Sequence, residues 1–150
     1  MSWDRERKAG CLVRSRPMPR ELKFLVADDD AEKRFLIVHH LRREFEGVEL
    51  IECDSGAAAI AHLEKHPVNA LVTDNRMSPV NGMELIQWLR QRDATLPVVM
   101  VTGNPEIEHV AIKAGATVVV TSHRFREVGP ILRQLLPPEN SPPNEKAPDE

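Results

Sequence analysis

Five short apolar runs recur along the chain, each followed by a stretch of helix length. The runs are "LKFLVA" (22–27), "VELIEC" (48–53), "NALVTD" (69–74), "PVVMVT" (97–102) and "TVVVTS" (117–122). Strands that are apolar at nearly every position are buried on both faces, which is the condition of a parallel sheet. Between them, "DAEKRFLIVHHLRREF" (30–45) puts Ile37, Leu41 and Phe45 on one helical face. "DSGAAAIAHLEKH" (54–66) opens on an Asp-Ser cap signal and is rich in alanine. "NGMELIQWLRQR" (81–92) groups Leu85, Trp88 and Leu89, and "PEIEHVAIKAG" (105–115) starts at proline and stops at glycine. "FREVGPILRQLL" (125–136) completes the series, with Gly129-Pro130 expected to interrupt it. Strand and helix alternating five times predict an α/β fold, a doubly wound five-stranded parallel sheet of flavodoxin-like (βα)5 topology.

In such sheets, sites form outside the C-terminal strand ends, where the strand order reverses. The first strand ends in Asp28, Asp29 and Asp30, and the third in Asp74. The fourth ends in Thr102 before Gly103, and the fifth in Thr121 and Ser122. Asp30 suits the N-cap of the first helix, but four aspartates exceed what capping needs. Two carboxylates about 4 Å apart repel by about 4 kcal/mol at an effective dielectric near 20. A hard cation relieves that repulsion, and an oxygen-only set with open positions suits Mg²⁺, which keeps waters and works with phosphate.

The rest of the chain excludes other classes. The net charge is −3 over 150 residues, which gives no global bias towards nucleic acid or an anionic membrane. No apolar run reaches the roughly 20 residues of a membrane span, and the basic N-terminus lacks the apolar stretch of a secretory signal. Cys11 and Cys53 fit no metal spacing and no disulfide framework. Together these predict a cytoplasmic protein with reduced thiols. Residues 1–20 carry six Lys/Arg against Asp4 and Glu6 and read as a flexible basic arm, with Met18 an alternative start. The folded unit is expected over 21–136. Residues 137–150 hold five prolines, four acidic residues and one lysine, and read as a disordered tail.

"KFLVADDDAEKR", "ALVTDNRMSPVNGMELI", "LPVVMVTGN" and "AGATVVV", in that order and spacing, resemble the response-regulator receiver domain of two-component signalling, similar to the single-domain chemotaxis receivers. The resemblance implies roles position by position. Asp74 matches the phosphoacceptor, Asp29 the direct Mg²⁺ ligand, and Asp28 the acid that reaches the metal through water. Arg76 would lend its backbone carbonyl to the metal. Asn81-Gly82 matches the turn opening the third helix, Thr102 the hydroxyl that closes on the phosphoryl group, and Gly103 the open backbone beside it. A sensor histidine kinase or phosphotransfer protein would then donate phosphate. With no output region visible after 136, the chain is expected to dock on a downstream protein target or pass phosphate on, without direct nucleic-acid binding.

The chain departs from the family at the fifth strand. Ser122 and His123 stand where the family places a lysine and a proline, and Val119 replaces the aromatic switch residue. Ser78 stands where a proline is usual, with Pro79 one step late. A non-proline cis bond costs about 3 kcal/mol, so a trans peptide and a remodelled loop are expected at 122–123. Three readings account for the absent lysine. Arg76 or Arg124 supplies the charge, phosphorylation is kept but coupled weakly to shape, or the domain is a degenerate receiver acting only by contact. His123 reads as an exposed loop residue. The weakened-switch reading leaves the fourth helix, fifth strand and fifth helix largely set before phosphorylation. The competing class is an enzyme. "FLVADDDA" also satisfies the Asp-x-Asp motif of haloacid-dehalogenase-like phosphatases, with Asp28 as nucleophile and Asp30 as acid, and "VVMVTG" could be that family's threonine motif. Against it, Asp74 goes unused and no aspartate follows the fifth strand.

Overall fold

Strand β1 (Lys23–Ala27) lies between β2 (Glu49–Cys53) and β3 (Ala70–Thr73), followed outward by β4 (Val98–Thr102) and β5 (Val118–Thr121). The order is β2-β1-β3-β4-β5, all parallel, so the winding reverses at the crevice between β1 and β3. The computed structural model describes residues 21–138, of which 21–136 make one compact unit. The basic arm and residues 139–150 of the tail expected from the sequence lie outside the described residues.

Successive residues of a strand point to opposite faces, and β1 feeds two cores. Phe24 and Val26 join Ile37, Leu41 and Phe45 of helix α1 (Ala31–Glu44) and its C-cap, with Val128 and Leu132 of α5 (Val128–Leu135). Leu25 and Ala27 face Ala59 of α2 (Gly56–Leu63), Leu85 and Ile86 of α3 (Gly82–Arg90), and Ala111 of α4 (Glu108–Ala114). Each fully buried Leu, Ile or Phe contributes about 1.5–3 kcal/mol. Double-sided burial makes β1, β3 and β4 read as continuous apolar runs, whereas the edge strand β2 exposes Glu49 and Glu52.

Helix starts follow their cap residues. Asp30 accepts the N–H groups of Glu32 and Lys33, Ser55 accepts that of Ala58, and Asn81 forms a capping box with Glu84. Gly115, at φ +126°, ends α4 in a conformation that other residues rarely adopt.

Two helices differ from expectation. Residues 105–115 divide into a 3₁₀ turn (Pro105–Ile107), capped by Asn104, and α4. The last helix is not interrupted at Gly129-Pro130. A 3₁₀ segment (Ser122–Glu127) precedes it, so both residues fall in the first turn of α5, where a missing N–H costs nothing. The Ser122–His123 peptide is trans, and the cis bond among the described residues is Ser78–Pro79.

Candidate functional site

Strand register builds the acidic pocket. Ala27 of β1 pairs with Thr73 of β3, so the next residue on each strand, Asp28 and Asp74, emerges side by side at the crevice. Asp29 follows from β1, and the three side chains each offer a carboxylate oxygen, all within 4.8 Å of one another. Asp28 and Asp74 are buried, while Asp29 is exposed.

Each buried acid has one oxygen committed and one not. The Asp30 N–H donates to Asp28 Oδ1 at 2.9 Å, and the Asn75 N–H donates to Asp74 Oδ1 at 2.7 Å. Asp28 Oδ2 is buried and accepts no hydrogen bond. Burial raises the Asp28 pKa above 3.8, and the charge of Asp74 adds to this. The Asp30 N–H and Lys33 oppose the rise without cancelling it. A buried oxygen that accepts no hydrogen bond, in a group of three carboxylates from two strand ends, fits a small divalent cation: the residues present suit Mg²⁺.

The turn after β3 closes against the acceptor. The Gly82 N–H donates to the Asn75 carbonyl oxygen at 2.9 Å. A Cβ at Gly82 would lie 2.2 Å from the carbonyl oxygen of Asp74, so only glycine admits this approach. The Asn75 side chain accepts the Met83 N–H at 3.0 Å and tethers the same turn.

On the other side, Thr102 of β4 pairs with Thr121 of β5, which sets Ser122 beside Gly103. A Cβ at Gly103 would meet Ser122 Oγ at 3.8 Å, ordinary contact. The Thr102 hydroxyl is buried and accepts the Asn104 N–H at 3.1 Å, which leaves its proton free to donate. Val119 is half-buried and packs on the α4-side core.

The charge in this pocket comes from neither expected arginine. Arg124 points outward and pairs with Glu127 at 2.7 Å, with more than half its side chain exposed. Arg76 is exposed on the loop after Asp74. The cation is Lys33, from the first turn of α1. Its Nζ lies 3.3 Å from Asp28 Oδ2 and 3.3 Å from Asp74 Oδ2. It donates to Ser122 Oγ at 3.2 Å and to the Val101 carbonyl at 3.4 Å. At Asp28 Oδ2 the contact is an ion pair. The reading in which Arg76 or Arg124 supplies the charge is corrected accordingly. Sequence reading missed Lys33 because it searched the loops beside the acids. One local signal existed: a lysine in the first turn of a helix opposes the helix dipole.

Asp30, the acid that the phosphatase reading requires, is exposed and occupied as an N-cap, accepting from Glu32 at 3.0 Å and Lys33 at 3.2 Å. Arg34 donates to the Asp28 carbonyl at 2.6 Å and to Glu52 Oε1 at 3.0 Å, fixing the first turn of α1 against β1 and β2. Cys53 is a buried free thiol whose pKa burial pushes up, and Cys11 lies outside the described residues.

Comparison with known proteins gives one consistent family. The family model described as "Response regulator receiver domain" matches residues 24–123. The response regulator receiver protein CpdR of Brucella abortus (strain 2308) is 31% identical over 81 residues, which are 54% of this chain and 66% of that protein. The sensor protein EvgS of Escherichia coli O157:H7 is 30% identical over 89 residues, 59% of this chain but 7% of EvgS. The chain thus spans less than two thirds of these relatives. Among solved structures, the response regulator TrrA of Thermotoga maritima, in complex with Mg(2+)-BeF, superposes with a TM-score of 0.69 at 22% identity, over 77% of this chain and 99% of that one. At that identity the likeness shows the fold alone.

Proposed function

The chain belongs to the response regulator receiver family, and from that premise we propose that it accepts a phosphoryl group on Asp74 with Mg²⁺ and signals through protein contacts. The observation that carries the proposal is the trio Asp28, Asp29 and Asp74, gathered within 4.8 Å at the crevice where the strand order reverses. That TrrA holds Mg(2+)-BeF on the same fold supports the choice of ligand.

Asp74 is the nucleophile in this reading. Its Oδ1 is held by the Asn75 N–H, which leaves Oδ2 to attack. The Oδ2–P bond forms as the P–N bond of a phosphohistidine on a sensor histidine kinase or phosphotransfer protein breaks. The electron pair stays on the imidazole nitrogen, which then takes up a proton. Asp28, Asp29 and Asp74, with the Arg76 carbonyl, would hold Mg²⁺, which would supply positive charge for the transferring oxygens. Thr102 donates its hydroxyl proton to the new phosphoryl group, and Gly103 leaves room for it. Ser122 borders the pocket on the β5 side.

Receiver domains are signalling modules, and this one is read as a phosphorelay component with a downstream protein target, not a turnover enzyme. No described helix is long and apolar enough to cross a membrane, and the reading places the protein in the cytoplasm. The haloacid-dehalogenase-like alternative using Asp28 would have to release Asp30 from its cap. Incubation with acetyl phosphate and Mg²⁺, followed by mass measurement, tests the proposal. One phosphoryl group per chain, absent in Asp74→Ala and without Mg²⁺, is the expected result. Label that survives Asp74→Ala, or steady hydrolysis of a phosphate monoester, would overturn it.

A further inference from the structure

We propose that Lys33, delivered from helix α1, is the phosphoryl-contacting cation of this pocket and that Ser122 positions it. The inference rests on the receiver reading above and deepens it.

One ammonium here gathers groups from four of the five strands. Asp28 follows β1, Asp74 follows β3, Val101 belongs to β4 and Ser122 follows β5, and Nζ lies within 3.4 Å of a polar atom of each. The oxygen of Asp74 that it approaches is Oδ2, the one that no backbone N–H holds. A phosphorus bonded there would bring its oxygens to the same ammonium. Ser122 is too short to reach the acids, but its hydroxyl accepts from Nζ and fixes where the lysine stem ends. The serine at the end of the fifth strand is therefore a seat for a cation carried by another element.

Local propensity does not explain the placement. Lys33 sits in the first turn of α1, near the positive end of the helix dipole, where a cation is unfavourable. Its side chain is nevertheless only 17% exposed. A solvated lysine would avoid both conditions, and residues that break a local rule in this way collect at functional sites.

The arrangement has two consequences of opposite sign. Before phosphorylation, Lys33 competes with a divalent cation for Asp28 and Asp74. Afterwards it stabilises the added oxygens through a charge-assisted contact. The experiment measures Mg²⁺ affinity and, at saturating Mg²⁺, beryllofluoride affinity by amide NMR titration, for wild type, Lys33→Met and the double variant Lys33→Met/Ser122→Lys. Methionine keeps an unbranched apolar stem. Lys33→Met should bind Mg²⁺ more tightly, by about tenfold, and beryllofluoride more weakly, by about tenfold or more. The double variant, with its lysine moved to the strand, should recover most of the lost beryllofluoride affinity. Unchanged beryllofluoride affinity in Lys33→Met overturns the inference, and so does a parallel loss of both affinities or a double variant no better than the single. A wild type that binds beryllofluoride and labels on Asp74 while Lys33→Met behaves identically removes only the role of Lys33. A wild type that does neither removes the receiver reading as well.

Discussion

On the β1–β3 side of the pocket, acids arrive by strand register and are held by backbone N–H groups, whereas on the β4–β5 side the strand ends contribute hydroxyls and a side chain from α1 brings the charge. The first side admits little variation. The groups that hold Asp28 and Asp74 are main chain, and Gly82 packs directly on the carbonyl of Asp74. The second side is made of side chains that meet at a point, so one group can replace another if the charge still reaches the acids. This difference is consistent with acids at 28, 29 and 74 beside a β5 end that carries Ser122 and His123, although the acid side also tolerates a change in its outer loop at Ser78.

The strongest way to break the comparison is Gly82→Ala. Its Cβ would meet backbone that cannot swing aside, so a loss of about 3 kcal/mol in urea unfolding is expected. A loss below about 1 kcal/mol would show that the acid side is as adaptable as the other. Thr102→Ala removes a buried hydroxyl and leaves the Asn104 N–H without its acceptor, at a cost of about 1–1.5 kcal/mol with slower phosphoryl uptake. Asn81→Ala dismantles the capping box of α3 and should cost about 1 kcal/mol in the same measurement.

Titration of Asp28 sharpens the contrast further. Its folded pKa is raised above 3.8, chiefly by burial. The stability it contributes is therefore fully present below its unfolded pKa and is lost as pH rises through the folded value. In metal-free solution, Asp28→Asn should raise the melting temperature at pH 7, with the advantage over wild type shrinking as the pH falls towards 3.8. A variant less stable than wild type at pH 7 would mean that Lys33 over-compensates the burial. The smallest effect belongs to Arg124→Ala. Its exposed pair with Glu127 contributes below about 0.5 kcal/mol, and beryllofluoride affinity should not change. A measurable loss of affinity would return Arg124 to the pocket.

The sequence by itself determined the element order, the parallel doubly wound sheet, the caps at Asp30 and Ser55, and the acids at the strand ends. These follow from signals within a few residues: apolar runs, helical periodicity and side chains that satisfy the N–H groups next to them. Gly129-Pro130 misled because a proline in a first turn looks, in sequence, like one in a helix interior. The source of the pocket's charge was decided by tertiary structure alone. Lys33 and Ser122 are 89 residues apart and meet only because α1 packs across the sheet face towards β5 and α5, through Ile37, Leu41, Val128 and Leu132. No periodicity in a linear chain reports where the end of a four-carbon side chain will lie, because that position depends on how two cores set the helix against the strand ends.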